Sequence, residues 1–302
     1  MTVDTTRRAS FLTQLAATWL RLNRSGPFWM IVASVLFACM GVCVKLSARE
    51  FTTPELVFYR CFIGWLVVSG VVVANRGSLA SPVLPKQFTR AIAGTISLMM
   101  YFYGIAHLPL ATAVTLNYTS PIFLALLTAF WLKERPPAAM WGPVLLGFVG
   151  VALLLHPTIG HDQWFAGLIG LASGFGAGIA YLNVRMLGDA GEPDWRTVFY
   201  FSLVAAISSG IWMLFGRFSP LNARNLPYLL AMGACATGAQ LSMTRAYRVG
   251  KSMVVAPFAY TTVVCSSLFG ELIWGDQLGV GSWVAMGLIM LSGIWTLNAS
   301  RH

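Results

Sequence analysis

Hardly any of the chain beyond Arg24 is suited to water. Stretches free of Asp, Glu, Lys and Arg run over residues 25–44, 91–132, 136–161, 163–184 and 278–298. A bilayer core takes about 20 apolar residues per helix at 1.5 Å rise, so residues 91–132 would reach roughly 63 Å as one rod. They must fold back, and the turn falls at His107-Leu108-Pro109-Leu110, where proline lacks an N–H and biases its predecessor away from helical angles. The same reading along the chain places about ten spans, at 26–46, 54–73, 88–107, 111–132, 141–155, 164–187, 195–215, 226–247, 252–274 and 281–297. The expected fold is an all-α membrane protein solvated by lipid.

Charge fits this reading. Only 10% of residues are charged, against about 25% in soluble domains. The net charge of +10 would suggest nucleic acid in a soluble chain, but here the positive-inside rule explains it and no nucleic-acid partner is expected. With a cytoplasmic N-terminus, fifteen Lys and Arg residues fall inside, Arg90 among them, and only Lys45, Arg49, Arg217 and Arg224 fall outside; Arg60 alone lies deep in a span. Both termini are therefore expected in the cytoplasm. Residues 1–25 form a basic tail in which Phe11, Leu15, Trp19 and Leu22 share a helical face, as an interfacial anchor or a disordered arm would have it. Cys39, Cys43, Cys61, Cys235 and Cys265 lie in apolar segments without CxxC spacing and read as unbridged packing residues.

The chain is written twice. Val57-Phe58-Tyr59 recurs as Val198-Phe199-Tyr200 at an offset of 141, and Val44-Lys45-Leu46 matches Val184-Arg185-Met186 at 140. Each half, 26–156 and 164–298, holds about five spans, and an odd number sends the second copy into the membrane from the opposite side. Inverted repeats of this kind are a transporter architecture.

Three features carry a family resemblance: the run from Ala113-Val114 to Pro121 followed thirteen residues later by Glu134, the helix Gly147-Phe148-Val149-Gly150-Val151, and Tyr260 leading to Gly275-Asp276. Together with the two five-helix halves they resemble the EamA repeats of the drug/metabolite transporter superfamily, over roughly residues 26–297. The resemblance implies a ten-helix alternating-access carrier for small metabolites with a central cavity between the halves, and the family includes amino-acid exporters, with an aromatic branch among them. Asp276 stands where Glu is typical, and Glu271 occupies a position usually small or apolar.

Candidate binding residues follow from polar faces on apolar rods. Thr237, Gln240, Thr244 and Tyr247 form one stripe, which serves either a cavity or hydrogen bonds between helices; its repeat counterpart is Ile96, Met99, Tyr103 and Ala106. Pro121 and Pro257 leave a backbone acceptor free near Asn117 and Tyr118 in one half and near Met253, one turn before Tyr260, in the other, or simply kink their helices. Gly170, Gly174 and Gly178 let another helix approach closely. The expected cavity lining is Tyr59, Met99, Tyr103, Asn117, Tyr118, Tyr181, Gln240, Thr244 and Tyr260.

Four charged residues join the candidates. Lys45 and Arg185, at matching repeat positions, either snorkel or attract a carboxylate at the two mouths; Glu271, the one acid clearly within a span, is a proton site or a structural acid; Arg60 is a potential partner for an acid. The sequence has no HExxH, GxxxxGK[ST] or strand-linked GxGxxG, so neither an enzyme nor a cofactor is expected, and His156, His161 and Asp162 are too loosely spaced for a metal. The cargo is then a small amphipathic metabolite, an exported amino acid first, for which tyrosine faces suit an aromatic ring. Import of a nucleotide-like or sulfonium metabolite, a passive channel and a membrane-embedded enzyme are the alternatives.

Overall fold

Among the described residues, twelve α-helices and two 3₁₀ stretches build ten spans, and the two spans that break are repeat counterparts. The computed structural model describes residues 23–74, 76–108, 110–133, 137–155, 163–216, 218–275 and 279–299. The basic tail helix, Pro109, Glu134, the His156–Asp162 group and Asp276 lie outside the described residues. The first half runs α1 (Gly26–Ser47), α2 (Thr53–Ala74), α3 (Leu84–His107), α4 (Leu110–Asn117), α5 (Ser120–Trp131) and α6 (Trp141–Leu155). The second runs α7 (Trp164–Asp189), α8 (Asp194–Met213), α9 (Leu226–Val249), α10 (Ser252–Val255), the 3₁₀ stretch Ala256–Tyr260, α11 (Thr261–Trp274) and α12 (Val280–Ala299). No strand occurs among the described residues.

Among the described residues, six segments are long and apolar enough to cross a membrane unaided, and two apolar helices are shorter. The two spans outside that set are α3 and α9, which are repeat counterparts. Such helices gain stability from burial inside a bundle and not from lipid. The outer surface is apolar, with Val73, Phe130, Phe215, Leu272 and Val280 each more than three-quarters exposed to the bilayer position.

Packing repeats with the halves exchanged. Helix α1 lies along α9 as α3 lies along α7, α5 packs on α7 as α11 packs on α1, and the self-related pairs α2–α8 and α6–α12 close the bundle. Each half therefore supplies helices to both walls of the centre. The glycines of α7 permit the closest of these contacts: a Cβ at Gly170 would come within 2.8 Å of Leu116, and one at Gly178 within 3.2 Å of the Leu124 nitrogen.

Both ends of the α2–α8 pair are fastened, at positions related by the repeat offset. Glu55, fully buried, accepts from the Ser219 N–H at 2.5 Å and the Ser219 hydroxyl at 3.0 Å, and from the Thr52 N–H and hydroxyl at 2.7 Å. At the opposite end Arg196, the counterpart of Glu55, donates to the carbonyl of Ser78, the counterpart of Ser219, at 2.7 and 3.1 Å. One clasp is acid-keyed and the other base-keyed.

Beside the second clasp, Glu192 in the α7–α8 turn accepts from Arg196 at 2.7 Å, Ser81 at 2.8 Å and Gln87 at 3.1 Å. Burial pushes the Glu192 carboxyl up, but the hydrogen bonds from Arg196, Ser81 and Gln87 and the charge of Arg196 outweigh it and hold the group below the ordinary carboxylate range. A lowered native value means that the stabilisation is complete above the ordinary value and is lost as pH falls through the lowered one. Glu192→Gln should therefore lower stability by about 2 kcal/mol at neutral pH and flatten the acid limb of a melting-temperature curve. An unchanged acid limb would show that the fastening is inert.

Candidate functional site

Polar groups converge on the middle of the bundle from helices that the repeat brings together. Thr237, Gln240, Thr244 and Tyr247 are all buried on one face of α9. Thr237 satisfies its hydroxyl on the Gly233 carbonyl at 2.6 Å, whereas Gln240 Nε2, Thr244 Oγ1 and the Tyr247 hydroxyl have no hydrogen-bond partner. Nearly all buried polar atoms in native proteins are paired, so a row of unpaired ones calls for a partner, from water or from another molecule. Tyr247 stacks on Tyr181 of α7 with ring centres 5.2 Å apart and planes 20° apart.

A narrow cleft opens beside Gln240. Arg60, Cys61 and Gly64 of α2, Phe201 and Ser202 of α8, and Ala236, Thr237 and Gln240 of α9 line it. Gly64 lets the helices close on it, since a Cβ there would stand 3.0 Å from Thr237 Oγ1 and 3.4 Å from Ser202 Oγ. Arg60 and Phe201 are repeat counterparts, so a cation on one wall faces an aromatic ring on the other.

A second cation occupies that ring. The Arg90 guanidinium of α3 lies 4.4 Å from the centre of Phe201, and the residue is 2% exposed. Gly94, one turn later, makes room for it, because any Cβ there would collide with Arg90 Nη1. Nε and Nη1 of Arg90 have no hydrogen-bond partner. The sequence reading counts Arg90 with the inner-side charges and has Arg60 as the only basic residue deep in a span; the structure shows the Arg90 side chain buried in the bundle as well. Helix α3 begins at Leu84 and not at 88, because Pro85 sits in its first turn, where a missing N–H costs nothing. Arg90 therefore falls in the second turn of α3 and not in the first.

The helix breaks are braced across the halves. Span four, placed from sequence over 111–132, ends one helix at Asn117 and restarts at Ser120, so Pro121 breaks the helix and does not merely kink it. Asn117 Nδ2 donates to Ser173 Oγ of α7 at 3.2 Å, and Ser97 Oγ of α3 donates to the Ser173 carbonyl at 2.7 Å. In the related break, Ser34 of α1 donates to the carbonyl of Phe258, the repeat counterpart of Asn117, at 3.2 Å. Each break is thus held by a serine on the long helix of the other half.

The remaining expected site residues are distributed unevenly. Tyr118 lies 6.3 Å, ring to ring, from Tyr260. Tyr260 is fully buried over Gly147 and donates its hydroxyl to the Val144 carbonyl at 3.3 Å, so its polar end is engaged by the backbone. Tyr59 packs against Phe51 in a cluster with Leu229 and Met232, one turn from Glu55. Met99 is half-buried on α3, while Tyr103 stacks on His107 at 4.0 Å at the far end of that helix, away from the cleft. Lys45 lies 3.9 Å over the Trp274 ring, and Arg185 reaches Asp189 at 3.9 Å. Glu271 is half-buried in the last turn of α11. The sequence reading took it as the one acid clearly within a span, but Glu55 in the first turn of α2 is the more deeply buried carboxylate.

Ten spans in two exchanged halves, an apolar jacket and a polar centre with no nucleotide-binding motif define a membrane transporter. The chain belongs to the EamA-like transporter family, whose model matches it twice, over residues 24–156 and 164–298. It is similar to the pseudopaline exporter CntI of Pseudomonas aeruginosa strain UCBPP-PA14, 30% identical over 263 residues that cover 85% of this chain and 90% of that one. A riboflavin transporter of Rhizobium johnstonii is 25% identical over 276 residues, covering 90% and 91%. A crystal structure superposes with a TM-score of 0.82 over 92% of this chain and 100% of that one at 18% identity, a likeness of fold alone.

Proposed function

We propose that this transporter is a secondary carrier that exports small amphipathic metabolites, amino acids and their aromatic members first, by alternating access through the centre between the repeats. The observation that carries the proposal is the buried row of unpaired polar groups on α9, Gln240, Thr244 and Tyr247, next to the stacked rings of Tyr181 and Tyr247. Unpaired polar atoms inside a membrane bundle are costly, and a cargo that hydrogen-bonds them while laying an apolar face on a tyrosine repays that cost. The name of the pseudopaline relative supports the outward direction. The absence of a nucleotide-cradling motif from the sequence supports gradient-driven movement. Of the residues named from sequence, Gln240, Thr244, Tyr181, Asn117 and Tyr118 form the inner lining in this proposal, and Tyr59, Met99, Tyr103 and Tyr260 frame it.

The test is exchange of labelled phenylalanine by purified protein in liposomes. Gln240→Ala should slow exchange roughly tenfold, the worth of one good hydrogen bond to cargo, with a melting temperature close to that of the parent. Normal exchange, or a loss that only follows lost folded protein, would make the row interhelical glue. The carrier is further proposed to sit in a bacterial inner membrane with both termini cytoplasmic, on the strength of the lysine and arginine asymmetry. A cysteine at Ser81 should then be shielded from an impermeant external reagent and one at Leu221 labelled; the reverse pattern would invert the orientation.

A further inference from the structure

Among the described residues, the centre of the bundle holds two cations and no anion. Arg60 lines the cleft, and Arg90 lies against Phe201, a residue of the same cleft. No carboxylate among the described residues comes within ion-pair distance of either arginine. The acids that would be candidates are engaged elsewhere: Glu55 by Thr52 and Ser219, Glu192 by Arg196, Asp194 by Arg245 and Arg248. A guanidinium cannot shed its charge, so burial in a membrane bundle leaves only partnership as a remedy.

Several buried N–H groups beside the cleft are unpaired. Arg90 Nε and Nη1 and Gln240 Nε2 are N–H donors without acceptors, and Arg60 adds a further guanidinium fork. Two guanidinium charges without a carboxylate partner, with unpaired N–H donors beside one cleft, call for a ligand that brings acceptors and negative charge. A planar fork matches a carboxylate in bidentate fashion, and two forks match two carboxylates. The ring of Phe201 holds the Arg90 guanidinium by its flat face, and the missing side chain at Gly94 keeps space for it.

We propose that the cargo is a small dicarboxylate, one carboxylate taken by Arg60 and the other by Arg90, with Gln240 donating to the group between them. This deepens the carrier reading above and rests on it. The two arginines reach the site from helices that are not repeat counterparts, and Arg60's own counterpart, Phe201, serves as the platform for Arg90. A single pair of cations straddling the site is therefore built from an asymmetric use of a symmetric frame.

Binding read by thermal stabilisation of the purified full-length protein tests the proposal. The probes are 4-carboxyphenylalanine and N-(carboxymethyl)phenylalanine, which place a second carboxylate at different distances, and 4-carbamoylphenylalanine, the uncharged isostere of the first. At least one dicarboxylate should bind roughly tenfold or more tightly than the carbamoyl compound, and Arg60→Gln and Arg90→Gln should each abolish that advantage. Arg90→Lys, which keeps the charge but loses the fork, should retain part of it. If Arg90→Gln does not fold, the half-buried Arg60→Gln decides alone. Equal binding of dicarboxylates and the carbamoyl compound, no stabilisation by either dicarboxylate, or an advantage that survives in the variants overturns the proposal. Phenylalanine exchange that depends on Gln240 would leave the carrier reading standing in each of those cases.

Discussion

Arg90→Met is expected to raise the melting temperature of the unliganded protein while reducing cargo exchange about a hundredfold. The two effects have one cause. Arg90 is 2% exposed, and two of its nitrogens have no partner, so in the absence of cargo the fold carries an uncompensated buried charge. Methionine fills a similar volume, packs on Phe201 in place of the guanidinium, and removes that cost; replacing buried ionic groups by apolar residues stabilises by about 1–4 kcal/mol. Losing a bidentate charge-assisted contact to the cargo in a low-dielectric site removes about 3 kcal/mol of binding. A structural arginine behaves oppositely. Calorimetry or dye-based melting, with exchange measured on the same preparation, separates the two: a fall in melting temperature together with lost exchange would show that Arg90 holds the bundle and not the cargo.

Gly174→Val should prevent the halves from docking. A Cβ at Gly174 would overlap the Thr119 hydroxyl and stand 2.7 Å from the Leu116 carbonyl, so the obstacle includes backbone at the helix break and cannot rotate away. Overpacking of this kind costs about 1–3 kcal/mol for a methylene or two, and a branched side chain at a backbone contact sits at the upper end or beyond. The expected readout is a large loss of monodisperse protein on gel filtration. Gly41→Ala is the control, since a Cβ there meets nothing within 4 Å. Equal yields from both would mean that α7 does not seat the broken span by close approach.

The architecture was legible because lipid imposes it. Apolar run length, the 141-residue offset and the two prolines mark the spans, the repeat and the breaks, each from a constraint that acts locally along the chain. The site was legible only in part. The α9 stripe is visible because its period is helical, and Gln240 and Tyr247 do face the interior. The burial of Arg90 was not legible, because positive-inside counting sorts charges by side of the membrane and not by contact. That burial depends on packing against a ring 111 residues away. The signal that could have placed it is Gly94 at i+4, a vacancy beside a long cation. Tyr103 and Tyr260 share their helix faces with the stripe and its equivalents, yet one stacks on His107 and the other sits over Gly147, contacts that no single-helix pattern encodes.

Counterflow tests the central claim most directly. Liposomes carrying the purified protein and loaded with unlabelled cargo, diluted into a trace of labelled cargo, should accumulate label transiently above its outside concentration, and the rate should saturate with cargo. One central site that opens alternately to the two sides requires that overshoot. Label that only equilibrates, without overshoot or saturation, would contradict the carrier and favour an open pore.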